Sequence, residues 1–129
     1  MGYVLIVEDD SDVAAVLASW LRRAGHEIRC VQHGHAGLTS ALREREPDLV
    51  LTDYRMPEMD GKDMIGLLGV SLPQCPVIVL TGYIESTQQA HLELEPNVAA
   101  VVGKPADMEA IVRLVDDTLR TSNNPAPSA

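Results

Sequence analysis

From end to end the chain alternates short apolar runs with stretches whose apolar residues recur every three or four positions. Tyr3–Val7, Leu49–Leu51, Val77–Leu80 and Val98–Val102 are continuous apolar runs of strand length, the pattern of strands buried on both faces. His26–Val31 differs: only Ile28 and Cys30 alternate with polar neighbours, as a strand at a sheet edge does. Between the runs lie helical patterns. Val13, Val16, Leu17, Trp20, Leu21 and Ala24 form one stripe, closed by Gly25. A second helix is expected over Ala36 to Glu46, stopped by Pro47, and a third over Met64 to Val70, weakened by Gly66 and Gly69. Ile84 to Leu92 predicts a fourth with a poor apolar face. Met108, Ile111, Val112, Val115 and Leu119 give the last a clean stripe.

Strand and helix thus alternate five times, which implies a parallel sheet covered on both faces through right-handed crossovers. With the half-polar strand second in sequence and at an edge, the predicted fold is an α/β, flavodoxin-like (βα)5 doubly wound five-stranded sheet. Its strand order is 2-1-3-4-5. One domain is expected over residues 1–120, with 121–129 a solvated tail or linker stub of Ser, Asn, Pro and Ala.

The balance of 19 acidic against 10 basic residues gives a formal charge of −9. Such a surface disfavours direct contact with nucleic acid or an anionic membrane and suits a cation or a basic protein face. No apolar run reaches the ~20 residues needed to span a bilayer, and Tyr3–Val7 is too short for a secretory leader. The chain is expected in the cytoplasm. Cys30 and Cys75 make no spaced motif and are expected as small core residues in a reducing compartment. His33 and His35 are expected at the surface, as is His91, and Trp20 in the first helix's packing.

In a sheet of this order, ligands bind beyond the carboxyl ends of the strands, near the point where strand order reverses. Four strand ends carry polar groups there: Glu8-Asp9-Asp10, Asp53, Thr81 and Lys104. Asp10 or Ser11 also suits the cap of the first helix. Asp9 and Asp53 end strands expected to be neighbours, so their carboxylates should converge. Gathered carboxylates repel, and a divalent cation relieves the repulsion. Mg²⁺ takes oxygen ligands and accepts one or two carboxylates while keeping waters. Asp9 and Asp53 are its expected ligands, with a backbone carbonyl in the loop after Asp53 a possible third and Glu8 or Asp10 acting through water. The absence of His and Cys at these ends argues against zinc or copper. Lys104 can pair with Asp53 and neutralise a phosphoryl oxygen, and Thr81 offers a hydroxyl at the opposite lip.

Taken together, these segments resemble the receiver domain of two-component response regulators. Val7-Glu8-Asp9-Asp10 matches the family's acidic signature, and Asp53 to Gly61, with its Met-Pro and Asp-Gly elements, the phosphoacceptor loop. Leu80-Thr81-Gly82 and Gly103-Lys104-Pro105 match the remaining two signatures. The resemblance implies that Asp53 is the phosphoacceptor, assisted by Lys104 and Thr81. Mg²⁺, for which Mn²⁺ can substitute, is then held by Asp9, Asp53 and the backbone carbonyl of Arg55, with Glu8 through water. It also implies a cis peptide before Pro105, and that Arg55 and Tyr83 tune the lifetime of the phosphoryl group.

The implied donor is a sensor histidine kinase or a histidine phosphotransfer protein. The product switches the face formed by the fourth and last helices and the fifth strand, toward a downstream protein target or an output domain. One departure is that Val101 stands where many members carry the aromatic that follows the switch threonine. Rival readings are a haloacid-dehalogenase-like phosphatase, which would want an acid where Arg55 stands, and a flavodoxin-type module, which would want phosphate-cradling residues after the first strand. A third is a receiver that acts as an interaction module without phosphorylation.

Overall fold

The computed structural model describes residues 2–54, 61–82, 93–103 and 107–123, and the side chains of these except residues 61, 62, 122 and 123. The elements run β1 (Tyr3–Val7), α1 (Ser11–Arg23), β2 (Glu27–Val31) and α2 (Gly34–Thr39, continued by a π-helical turn, Ser40–Glu44). They continue with β3 (Leu49–Asp53), α3 (Gly61–Ser71), β4 (Val77–Thr81), β5 (Val98–Gly103) and the C-terminal helix α4 (Met108–Asn123). The sheet is parallel throughout, in the order β2-β1-β3-β4-β5, which is the expected 2-1-3-4-5. The helix expected over 84–92, with His91, lies outside the described residues.

Strand alternation sorts the apolar residues into two cores. Val4, Ile6, Leu49, Leu51, Ile78 and Leu80 face Leu17 and Leu21 of α1 and Ile111, Val115 and Leu119 of α4. Leu5, Val7, Val50, Val77 and Val79 face Ala41 of the π-helical turn and Met64, Ile65 and Leu68 of α3. Burial on both faces is why these strands read as unbroken apolar runs. Gly37 sets how closely α2 lies on the sheet, since a Cβ there would stand 2.9 Å from Val7 Cγ2 and 3.3 Å from Met64 Sδ.

The ends of α1 are fixed locally. Asp10 is its N-cap, accepting hydrogen bonds on Oδ1 from the amides of Asp12 (3.0 Å) and Val13 (3.2 Å). Gly25 adopts φ 100°, and the amides of Gly25 and His26 bond back to Arg22 O and Leu21 O, a Schellman stop that needs a residue at home in the left-handed region. This turn consumes His26, so β2 begins at Glu27 rather than at His26.

Five expectations are corrected. The buried face of α1 is Ala14, Leu17, Ala18 and Leu21, so the stripe is rotated: Val16 is 47% exposed, Ala24 is exposed and Trp20 is half-buried. Small alanines let the helix approach the sheet, and the Trp20 ring instead lies under the Arg23 guanidinium, 5.8 Å away. The second helix begins earlier, at Gly34, because His33 caps it, Nδ1 accepting from the Ala36 amide at 3.2 Å. It also ends earlier, at Glu44, through a π turn in which the Arg45 amide bonds to Ser40 O. The last helix runs past Arg120 to Asn123, and α3 starts at Gly61. Cys30 is exposed rather than a core residue, since β2 lies at the sheet edge, where every residue stays at least partly open to solvent.

That edge is guarded by charge, as exposed edges need to be. Arg45 Nη1 lies 2.6 Å from Glu27 Oε2, and Arg29 pairs with Glu44 at 3.4 Å. Cys75, by contrast, is buried, and burial, with a smaller push from the acids Glu46 and Asp48, drives its thiol up to about 12. The Cys30 thiol is raised less, chiefly by desolvation and against the pull of Arg22. Because the thiolate is the reactive form, iodoacetamide at about pH 8 should alkylate Cys30 alone in the native chain and both cysteines in urea. Intact mass spectrometry reads the difference, and equal native labelling of Cys75 would contradict its burial. Among the described residues no helix is long and apolar enough to cross a membrane.

Candidate functional site

Strand parity and register bring the acids together. Val7 of β1 stands beside Thr52 of β3, so the residues that follow each leave the sheet side by side. Glu8 continues the face of Val4 and Ile6, and Asp53 that of Leu49 and Leu51, so both carboxylates emerge on the same side. Carboxylate oxygens of Glu8, Asp9 and Asp53 all lie within 4.8 Å of one another. Their burial is graded: Glu8 is 2% exposed, Asp53 half-buried and Asp9 exposed. The cluster therefore opens to solvent on the Asp9 side and is closed beneath by Glu8.

Local contacts hold the strand ends in place. The Glu8 amide bonds to Val31 O at 3.0 Å, tying the exit of β1 to β2. Asp10 is spent on capping α1 and so fixes the loop that presents Asp9. On β3, the Thr52 hydroxyl donates to Asp53 O at 2.9 Å, and the Tyr54 amide bonds to Leu80 O at 3.2 Å. Thr81 ends β4 one residue beyond Leu80, the register partner of Asp53, and is 2% exposed. Val101 sits in β5, level with Val79 and packed against the second core. Arg55, Tyr83, Lys104 and the bond before Pro105 lie outside the described residues.

The donor set fits a hard divalent cation. Oxygen ligands about 2.1 Å from an octahedral Mg²⁺ stand roughly 3–4 Å apart, which is the spacing that small side-chain rotations give in a cluster of this span. The donors are all oxygen, without His or Cys, as suits Mg²⁺ better than zinc or copper. Sequence reasoning found all three acids through their positions at strand ends. It missed Tyr54, whose only signal was adjacency to Asp53. It also missed the cap made by His33, which a polar residue three positions before Ala36 does suggest.

Comparison with known proteins agrees with this geometry. Residues 4–116 match the response regulator receiver domain. The transcriptional regulatory protein GlrR of Escherichia coli K12 is 32% identical over 121 residues, covering 94% of this chain and 27% of GlrR. Response regulator protein FleR of Pseudomonas aeruginosa is 34% identical over 112 residues, covering 87% of the chain and 23% of FleR. The chain thus spans about a quarter of the length of these curated relatives.

Among solved structures, a CheY-like receiver domain protein from Methanospirillum hungatei superposes with a TM-score of 0.90 at 21% identity, covering 98% of this chain and 99% of that one. The signal receiver domain of a histidine kinase from Syntrophus aciditrophicus gives 0.85 at 28% identity, covering 100% and 97%. A parallel 2-1-3-4-5 sheet with three converging acids at its switch point, matched along nearly its whole length, leads to one assignment: this chain belongs to the receiver domains of two-component response regulators.

Proposed function

We propose that the chain is a phosphoacceptor in which Asp53 receives a phosphoryl group from a phosphohistidine. The observation that carries this reading is the convergence of Glu8, Asp9 and Asp53 within 4.8 Å at the mouth of the sheet. Asp9, Asp53 and the backbone carbonyl of Arg55 would hold Mg²⁺ (or Mn²⁺), with Glu8 acting through water. When bound, the cation neutralises charge on the phosphoryl oxygens and on the acids around them.

The chain's own residues do the rest. The ionised Asp53 carboxylate is the nucleophile: one of its oxygens forms the new P–O bond while the P–N bond to the donor imidazole breaks. The electron pair leaves with that nitrogen. Phosphoryl transfer asks mainly for positioning and electrostatic stabilisation, which β1 and β3 supply by fixing the approach of Asp53 beside Asp9. Lys104 neutralises an equatorial oxygen, and the Thr81 hydroxyl donates to the acyl phosphate, which carries about two negative charges. Arg55 and Tyr83, two positions beyond Asp53 and Thr81, flank the product and tune its hydrolysis. The chain assists its own phosphorylation and dephosphorylation and turns over no other substrate.

The donor is a sensor histidine kinase or a histidine phosphotransfer protein, as suits a receiver. The output passes through the segment over 84–92, β5 and α4 to a protein target or an output domain, and the greater length of the transcriptional regulators it resembles supports the latter. Residues 1–120 act as the receiver unit, and 121–129 as a tail or linker stub.

Thermal melting tests the cation site directly. A ligand that binds only the folded chain stabilises it by about 2.7 kcal/mol at a hundredfold excess over Kd, so saturating Mg²⁺ should raise Tm by several degrees. Asp9→Asn should remove most of that rise. A rise undiminished in Asp9→Asn would place the ion elsewhere.

A further inference from the structure

Tyr54 occupies a position that neither catalysis nor metal binding explains. It directly follows Asp53, is half-buried, and its ring packs against the second core together with Val101 of β5. Its amide is hydrogen-bonded to Leu80 O at 3.2 Å, the carbonyl immediately before Thr81. Alternation along β3 puts Tyr54 on the face of Val50, and alternation along β4 puts Thr81 on the face of Val77 and Val79. Both residues thus end their strands on the same side of the sheet, the side of α2 and α3. Val101 stands level with Val79 on that side and Gly103 level with Thr81.

The size of the side chains matters here. Among the described residues Tyr54 is the one aromatic ring at the carboxyl end of this face; Tyr3 lies at the opposite end, under Arg45, and Trp20 on α1. Val101 is small and stiff at χ1. Among the described residues, a Cβ added at Gly82 or Gly103 would meet nothing within 4 Å. The Tyr54 amide bond to Leu80 O ties the end of β4 to the residue that carries this ring.

We propose that Tyr54 couples the state of Asp53 to the ends of β4 and β5. The inference rests on the phosphoacceptor reading of Asp53. When Thr81 turns to the acyl phosphate, the Leu80 carbonyl moves with it, the Tyr54 amide follows, and the ring repacks against Val101. The ring provides the link, so its hydroxyl is dispensable.

Amide exchange with Mg²⁺ and beryllofluoride, a phosphoryl mimic, tests this. In the wild-type chain beryllofluoride should slow exchange in residues 98–103 about tenfold, within the usual range of coupling between sites. Tyr54→Leu should lose that response while still being labelled by acetyl phosphate, and Tyr54→Phe should keep it. A full response in Tyr54→Leu, or an equal loss in Tyr54→Phe, overturns the proposal.

A second readout is taken on the wild-type chain itself. In wild-type chain carrying 3-fluorotyrosine, with the Tyr54 signal assigned by its loss in Tyr54→Phe, beryllofluoride should shift Tyr54 and leave Tyr3 in place. An unmoved Tyr54 signal overturns the coupling. Labelling of Asp53 without any change at 98–103 defeats this inference alone, whereas failure of wild-type chain to be labelled defeats the phosphoacceptor reading beneath it.

Discussion

Asp53→Asn should abolish covalent phosphorylation. Incubated with acetyl phosphate and Mg²⁺, the wild-type chain is expected to gain a single adduct of ~80 Da, the mass of one phosphoryl group, by intact mass spectrometry; the variant gains none. The argument is local. Asparagine fills the same space, so β3 and its bonds from Thr52 and Tyr54 are kept. An amide oxygen, however, carries no charge with which to attack phosphorus. Asp9 and Glu8 lie within 4.8 Å and are also carboxylates, so the experiment asks which acid is the nucleophile and not merely whether the cluster is reactive. Asp9→Asn should keep the acceptor while slowing labelling, because it removes a cation ligand and not the attacking oxygen. An adduct of undiminished yield in Asp53→Asn would move the acceptor to another acid. Sustained turnover of a generic phosphate ester would instead revive the phosphatase reading.

Much of this site was legible before any coordinates. A buried parallel strand announces itself as an unbroken apolar run, and its carboxyl end is where the run stops; Glu8, Asp9, Asp53 and Thr81 are all found that way. Register then needs only the strand order, which the half-polar β2 reveals by being the edge. Features that depend on how elements pack were less accessible. The helical stripe of α1 was weighted by residue size, whereas the sheet selects Ala14 and Ala18 for close approach and leaves Val16 outside. The exposure of Cys30 follows from the edge position of β2, where every residue stays at least partly open to solvent, a degree of coverage that periodicity cannot encode. The π turn at Ser40–Glu44 delivers Arg45 to Glu27 and to the face of Tyr3, 4.2 Å from the ring centroid. Only the tertiary partners reward that detour, so local propensity does not register it.

His26 shows the same limit and yields the second large effect: His26→Ala should lower the melting temperature by about 10 °C. In sequence it reads as the first polar residue of an edge strand. In the fold its side chain is 4% exposed, with Nε2 2.6 Å from Asp116 Oδ1 of α4 and Nδ1 accepting from the Gly2 amide at 3.1 Å. Those two bonds together define a ring with its proton on Nε2, donating to the carboxylate. One side chain thus joins the start of β1, the α1–β2 turn and the C-terminal helix, three parts of the chain far apart in sequence. Alanine leaves the Gly2 amide without its acceptor and opens a cavity beside the half-exposed Asp116 carboxylate. Loss of a hydrogen bond to a charged group costs about 1.5–3 kcal/mol, and the cavity adds to it. A total near 3 kcal/mol, at roughly 3–5 °C per kcal/mol for a domain between the sizes usually tabulated, gives the stated shift. Asp116→Asn is the control: its oxygen can still accept from Nε2, and at 44% side-chain exposure the lost charge matters little, so its shift should be a few degrees at most. Both variants should still be phosphorylated at Asp53, since His26 lies at the amino ends of the strands and the acids at the carboxyl ends. If His26→Ala melted within about 2 °C of wild type, less than the loss of even one hydrogen bond implies, the ring would be a passenger and the C-terminal helix would be held by the apolar seam of Ile111, Val115 and Leu119 alone.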